Sequence, residues 1–151
     1  MAFRPDESLI ADQRYPIFDG IGARLLGGRW NSPGVEVICA SETFAEAILE
    51  VLVYANLGRP PRTHACAEIT IPDELAVETV TSIPTDQKPK RDCGDLWVKE
   101  RRTAVLFVPS IVTGERERNL VISPAHPAFS RITASDPFEV SWDARMFKRP
   151  Q

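Results

Sequence analysis

Proline placement constrains this chain more than any other feature of its sequence. Thirteen prolines fall among 151 residues, above the usual share of about 5%. Each fixes φ and removes a backbone donor, so each tends to end a helix or interrupt a central strand. With 43% hydrophobic residues disorder does not follow, and the prolines punctuate a folded chain. The longest interval free of them runs from Gly34 to Arg59, where one strand and one helix fit. Val35 to Ala40 is short, rich in β-branched residues and preceded by the turn-like Asn31-Ser32-Pro33-Gly34, which predicts a strand. The helix follows: Thr43 with Glu46 makes a capping box, Gly58 can turn left-handed, and Pro60-Pro61 forbids continuation.

On that helix Phe44, Ala47, Ile48, Val51, Leu52 and Ala55 fall at the spacing of a core stripe. Leu49 and Val53 are apolar on the other side, so the polar surface shrinks to a narrow strip with Glu46 and Glu50, and Tyr54 beside Glu50. Either the helix is central, or its outer side meets a partner or a cleft. Downstream, Ala65 to Ile71, Val77 to Ile83, Thr103 to Val108, Asn119 to Ile122 and Phe138 to Trp142 are strand candidates. Asp92 to Arg102 reads as a short helix after a basic, proline-broken Lys88-Pro89-Lys90-Arg91 loop. No repeat or linker divides the chain, so residues 1–151 are expected to form one mixed α/β domain.

Composition narrows the function. A formal net charge of -3 is the wrong sign for neutralising phosphate backbones, which disfavours direct nucleic-acid binding. Cys39, Cys66 and Cys93 are evenly spaced without a C-x-x-C pair, which points away from a disulfide framework or structural zinc and towards a reducing compartment. His64 and His126 have no metal-ligand spacing, so no metal is expected. The first twenty residues carry charges throughout and no apolar run of leader length, so a cytoplasmic location without a membrane span is expected.

The densest local anomaly is Gly27-Gly28-Arg29-Trp30-Asn31. Its glycines let backbone approach a ligand while Arg29 forks onto a phosphate or carboxylate; the plainer alternative is a glycine turn followed by a surface arginine. Glu50 is the carboxylate to single out, because its helix offers so little polar surface that a cleft-facing acid competes with a solvated one. Ser110 follows Pro109 at the end of a buried strand, where side chains emerge into ligand sites, although most such serines bond nearby backbone.

Taken together, GARLLGGRWNSPG (22–34), VICAS with the helix carrying Glu50 (37–54), CGDLW (93–97), VPS (108–110) and NLVISPAHP (119–127) resemble the RES domain along nearly the whole chain and in order. The resemblance implies an ADP-ribosyltransferase-like α/β fold with split central β-sheets flanked by helices. It also implies chemistry on NAD: transfer of ADP-ribose to a cellular protein, or degradation by hydrolysis or phosphorolysis. Family members are mostly toxins of bacterial type II toxin–antitoxin pairs, neutralised by an antitoxin with an Xre-like helix-turn-helix region whose C-terminal part plugs the cleft. The matching positions for the arginine, glutamate and serine of the family name are Arg29, Glu50 and Ser110.

Granting that substrate, Glu50 is the candidate to stabilise the oxocarbenium-like state formed when the nicotinamide glycosidic bond breaks. Arg29 would meet the pyrophosphate, while Ser110 and Asn31 would offer hydrogen bonds to ribose or carboxamide. Cys39 stands where relatives usually carry a tyrosine, and Tyr54, one helical turn from Glu50, would supply the missing ring against nicotinamide. Ser123 likewise stands where relatives tend to have asparagine. Two rival functions compete with this one: a catalytically weakened NAD-fold binding module acting through its antitoxin, and an RNase, which the charge and the scattered histidines disfavour.

Overall fold

The computed structural model describes residues 7–12, 16–55, 58–82 and 85–147. Among them the elements run β1 (Glu7–Asp12), α1 (Ile21–Leu26), β2 (Ile38–Ser41), α2 (Phe44–Ala55), β3 (His64–Thr70), β4 (Val77–Thr79), α3 (Gln87–Glu100), β5 (Val105–Pro109), β6 (Arg118–Ile122), β7 (Thr133–Ala134) and β8 (Phe138–Glu139). The strands pair in the order β4-β5-β6-β2-β1-β3-β7, with β8 also on β3. Among the described strands only β4 with β5 is parallel. β1 and β2 meet at a single residue pair, Ser8 with Ser41, whereas β1 with β3 spans Glu7 to Asp12 and β5 with β6 spans Val105 to Pro109. The sheet therefore splits at that junction into two halves. This is the expected mixed α/β architecture, a split central sheet flanked by helices.

Alternation along the strands sorts side chains between layers. Val105, Phe107, Leu120, Ile122 and Ile38 pack with Leu9, Ile69 and Ile71 in the main core, which joins the two halves. Leu106, Val108 and Val121 point the other way, against Trp97 of α3 and Trp30. Ile48 of α2 packs with Cys66 and Val140 on the remaining face.

Several elements differ from expectation for identifiable reasons. β2 begins at Ile38 rather than Val35, because Val35 is engaged in the preceding turn: its N–H donates to Ser32 O and its carbonyl accepts from the Asn31 side chain. α3 begins at Gln87, so the Lys88-Pro89-Lys90-Arg91 segment is its first turn and not a loop. Proline is tolerated there because a first-turn N–H has no intrahelical acceptor to lose. The helix stops at Glu100, where Arg101 adopts φ 49°. Of the strand expected over 77–83, Val77–Thr79 forms and Ile83 lies outside the described residues; of 138–142, only Phe138–Glu139 forms. β1 and α1 were not anticipated. At the start of α2 the Thr43 hydroxyl accepts from the Glu46 N–H at 3.1 Å, but the Glu46 side chain is fully buried instead of closing the capping box. Phe44, expected in the core stripe, is exposed.

One close approach fixes where α3 lies. A Cβ on Gly94 would come within 1.7 Å of the Trp30 carbonyl oxygen, so only glycine lets the helix seat against the turn that carries Arg29. Gly94→Ala is predicted to lower stability by at least about 1–3 kcal/mol, the cost of overpacking against backbone that cannot yield, read as an earlier midpoint in urea unfolding.

Candidate active site

A cleft of about 600 Å³ opens above β2 and β6. Cys39 pairs with Val121 and Ser41 with Asn119, so these four side chains share the sheet face that forms its floor. α2 supplies one wall through Ala47, Glu50, Val51 and Tyr54, which recur at helical spacing. The Gly28–Trp30 turn supplies another, and His64 of β3 also borders the space. Glu50 and Tyr54 of the polar strip of α2 thus face a cleft. Its apolar reverse is open, with Leu49 41% and Val53 57% exposed.

Glu50 is held from two sides. The Asn119 amide donates to its Oε1 at 2.6 Å, and the Ser110 hydroxyl donates to the same oxygen at 3.3 Å. Asn119 is itself oriented by the Ser41 hydroxyl, which donates to its Oδ1 at 2.8 Å. These two donors hold the Glu50 side chain in place on the cleft wall.

Arg29 is placed by its backbone. Gly27 takes φ 71° to close the end of α1, and α3 then grips the turn: Gln87 Nε2 donates to Arg29 O at 2.5 Å, Arg91 Nε to Gly28 O at 2.9 Å, and Asp95 Oδ1 accepts from Ser32 N–H at 2.8 Å. The guanidinium is left to reach across to α2, where it donates to the Tyr54 hydroxyl and lies 5.4 Å from the ring centroid. This contact spans the cleft mouth.

Two residues expected to meet a ligand lie outside the cleft lining. Asn31 is fully buried and outside the cleft; its amide nitrogen ties Ala23 O and Val35 O at 2.8 and 2.9 Å and so shapes the Arg29 turn. Ser110 is also fully buried, behind Glu50, and its hydroxyl donates to that side chain. Arg29, Glu50, Cys39 and Tyr54 do line the cleft, although Tyr54 is engaged by Arg29. Asn119 and His64 were not singled out from sequence as site residues, because only strand pairing brings them to this space. Glu46 was read as part of an exposed strip and lies beneath it. Among the described residues no three His, Cys, Asp or Glu side chains cluster closely enough to hold a metal ion.

Cys39 is accessible from the cleft but surrounded by protein on its other sides. That desolvation, reinforced by the Glu50 carboxylate and partly offset by Arg29, pushes its thiol up to about 11.

The split-sheet α/β domain thus sets a hydrogen-bonded carboxylate and a guanidinium on one cleft. The comparisons with known proteins narrow this further. The chain belongs to the RES domain family, whose sequence pattern matches residues 4–143. It is 35% identical over 140 residues to the "Prs ADP-ribosylating toxin" of Sphingobium sp. (strain YBL2), covering 86% of each chain. It is 27% identical over 139 residues to "Toxin Res" of Photorhabdus laumondii subsp. laumondii, covering 87% of this chain and 88% of that one. A chain of the crystal structure of the M. tuberculosis MbcT-MbcA toxin-antitoxin complex has the same fold, with a TM-score of 0.73 at 17% identity over 90% of this chain and 84% of its own.

The Cys39 environment gives a direct check on Glu50. Near pH 8 a thiol of such high pKa is thiolate in only about one molecule in a thousand, so Cys39 is predicted to alkylate slowly. Glu50→Gln removes one influence that raises it, and the alkylation rate of the Cys39 peptide, followed by mass spectrometry, rises. An unchanged rate would show that the two groups do not sense each other.

Proposed function

We propose that this protein is the toxin of a type II toxin–antitoxin pair and that it cleaves the nicotinamide glycosidic bond of NAD, passing ADP-ribose to a cellular protein. The observation that carries the reading is the anchored Glu50 carboxylate in a cleft that Arg29 also lines. When the C1′–N bond of the nicotinamide ribose breaks, nicotinamide leaves with the bonding pair and positive charge spreads over the ribose carbon and ring oxygen. An oriented carboxylate stabilises that charge, and the acceptor then adds at C1′ and gives up its proton. Arg29 would exchange Tyr54 for the pyrophosphate, whose two charges suit a planar fork. The relative named as an ADP-ribosylating toxin supports transfer to protein over hydrolysis or phosphorolysis.

The likeness to a chain from a toxin-antitoxin complex supports an antitoxin partner, and the exposed Leu49 and Val53 beside the cleft offer it apolar surface. In this reading the antitoxin carries an Xre-like helix-turn-helix region, the pair works in the cytoplasm, and the toxin contacts neither nucleic acid nor membrane. No helix among the described residues is long and apolar enough to cross a membrane.

The test is incubation with NAD labelled in its ADP-ribose part, with and without cell lysate, followed by separation of proteins from small molecules. Label on a protein band is the predicted result, free ADP-ribose or its phosphate would replace transfer by degradation, and untouched NAD would refute the enzyme reading. Arg29→Glu is expected to abolish NAD binding in calorimetry while leaving the unfolding midpoint in place. Tyr54→Ala is expected to weaken NAD about two- to tenfold if the ring stacks on the ligand, the worth of one aromatic contact, and an unchanged affinity would restrict Tyr54 to its contact with Arg29.

A further inference from the structure

His64 borders the cleft yet has no part in the chemistry proposed for it. It is half-buried, and its Nδ1, closed off from solvent, has no hydrogen-bond partner among the described residues. Buried polar atoms normally have one, so no hydrogen bond of the described fold accounts for this imidazole at the edge of the cleft.

Strand order and helix direction fix which end of the cleft it occupies. The lining crosses four neighbouring strands, with Asn119 on β6, Cys39 on β2, Ile10 on β1 and His64 on β3. Three strand spacings of about 4.8 Å put His64 roughly 14 Å from Asn119 across the sheet. Register adds to the separation: Ser41 opposes Ser8, whereas His64 opposes Asp12, further along β1. α2 runs the same way. Glu42, just before it, pairs with Arg118 at the start of β6, Glu50 meets Asn119, and Leu52 packs with Ile10 of β1 and Cys66 of β3. Tyr54, which holds Arg29, is one turn beyond Glu50 in that direction. The cleft therefore presents, in order, the anchored carboxylate, the guanidinium, and an end formed by Ile10 and His64.

We propose that this end holds adenosine. The assignment rests on NAD as the ligand, whose parts follow one another in the same order: nicotinamide ribose, pyrophosphate, adenosine. Ile10 gives the base an apolar face, and the imidazole of His64, flat and able to give or take a hydrogen bond, meets the base or its ribose hydroxyls. In this role His64 is a binding and specificity residue, at a distance from the bond that breaks.

The test is calorimetric titration of the whole chain with two fragments of the dinucleotide, ADP and nicotinamide mononucleotide. His64→Ala is expected to weaken ADP about three- to tenfold, the worth of one hydrogen bond, and to leave nicotinamide mononucleotide unchanged. His64→Gln, which keeps a donor and an acceptor, is expected to recover part of the loss. With NAD as substrate, KM rises in His64→Ala more than kcat falls. Unchanged ADP affinity, or loss of nicotinamide mononucleotide instead, would overturn the adenosine assignment and leave the NAD reading in place. Equal weakening of both fragments with an earlier midpoint in urea would show a structural role and overturn the assignment as well. A wild-type chain that binds neither NAD nor either fragment would overturn the NAD reading and this assignment with it.

Discussion

The hydrogen bond from Asn119 to Glu50 ties the α2 wall of the cleft to the sheet beneath it. α2 is apolar nearly all round, so a carboxylate on it is stable only where donors meet it. Those donors come from β6 and from the turn after β5, segments far from Glu50 in sequence. The Ser41 hydroxyl behind Asn119 closes the arrangement, because it consumes the amide oxygen and leaves only the amide N–H₂ to face Glu50. The register of β2 on β6, which sets Ser41 opposite Asn119, is therefore the geometric condition for the site. A one-residue slip would turn both side chains to the other face.

The two walls are built by different means. Glu50 is fixed by side chains on the sheet, and Arg29 by backbone carbonyls gripped from α3. The contact of Arg29 with Tyr54 joins the walls at the mouth. That contact gives the cation a partner within the protein. The arrangement also explains the apolar reverse of α2: its polar residues are spent on the cleft and on the buried Glu46, which leaves Leu49 and Val53 facing out.

What sequence could and could not convey follows from the range of the forces involved. The strands around Val105, Leu120 and Ala67 and the helix around Ile48 are legible because runs and periodicities of apolar residues are local signals. α3 was read too short because Pro89 looks like a breaker until its first-turn position is known. Arg29 and Glu50 were found as cleft residues. Asn31 and Ser110 were assigned ligand contacts, yet each is buried one layer behind the residue it supports, a distinction that depends on packing and not on residue type. Asn119, His64 and Glu46 were missed in their present roles for the same reason: a polar residue on an amphipathic element carries no mark saying whether it meets water, ligand or another side chain. The prolines kept their meaning, with Pro33 closing the Arg29 turn and Pro109 leading into Ser110.

The central claim is that the anchored Glu50 carboxylate drives loss of nicotinamide from bound NAD. The most direct measurement is nicotinamide release by the purified chain, compared with Glu50→Gln under conditions where both are saturated with NAD. The account predicts steady release by the wild type and a rate about 10² to 10³ lower in the variant, the usual cost of losing one electrostatic stabiliser, with NAD still bound. Equal release by the two proteins, or none by the wild type, would contradict it.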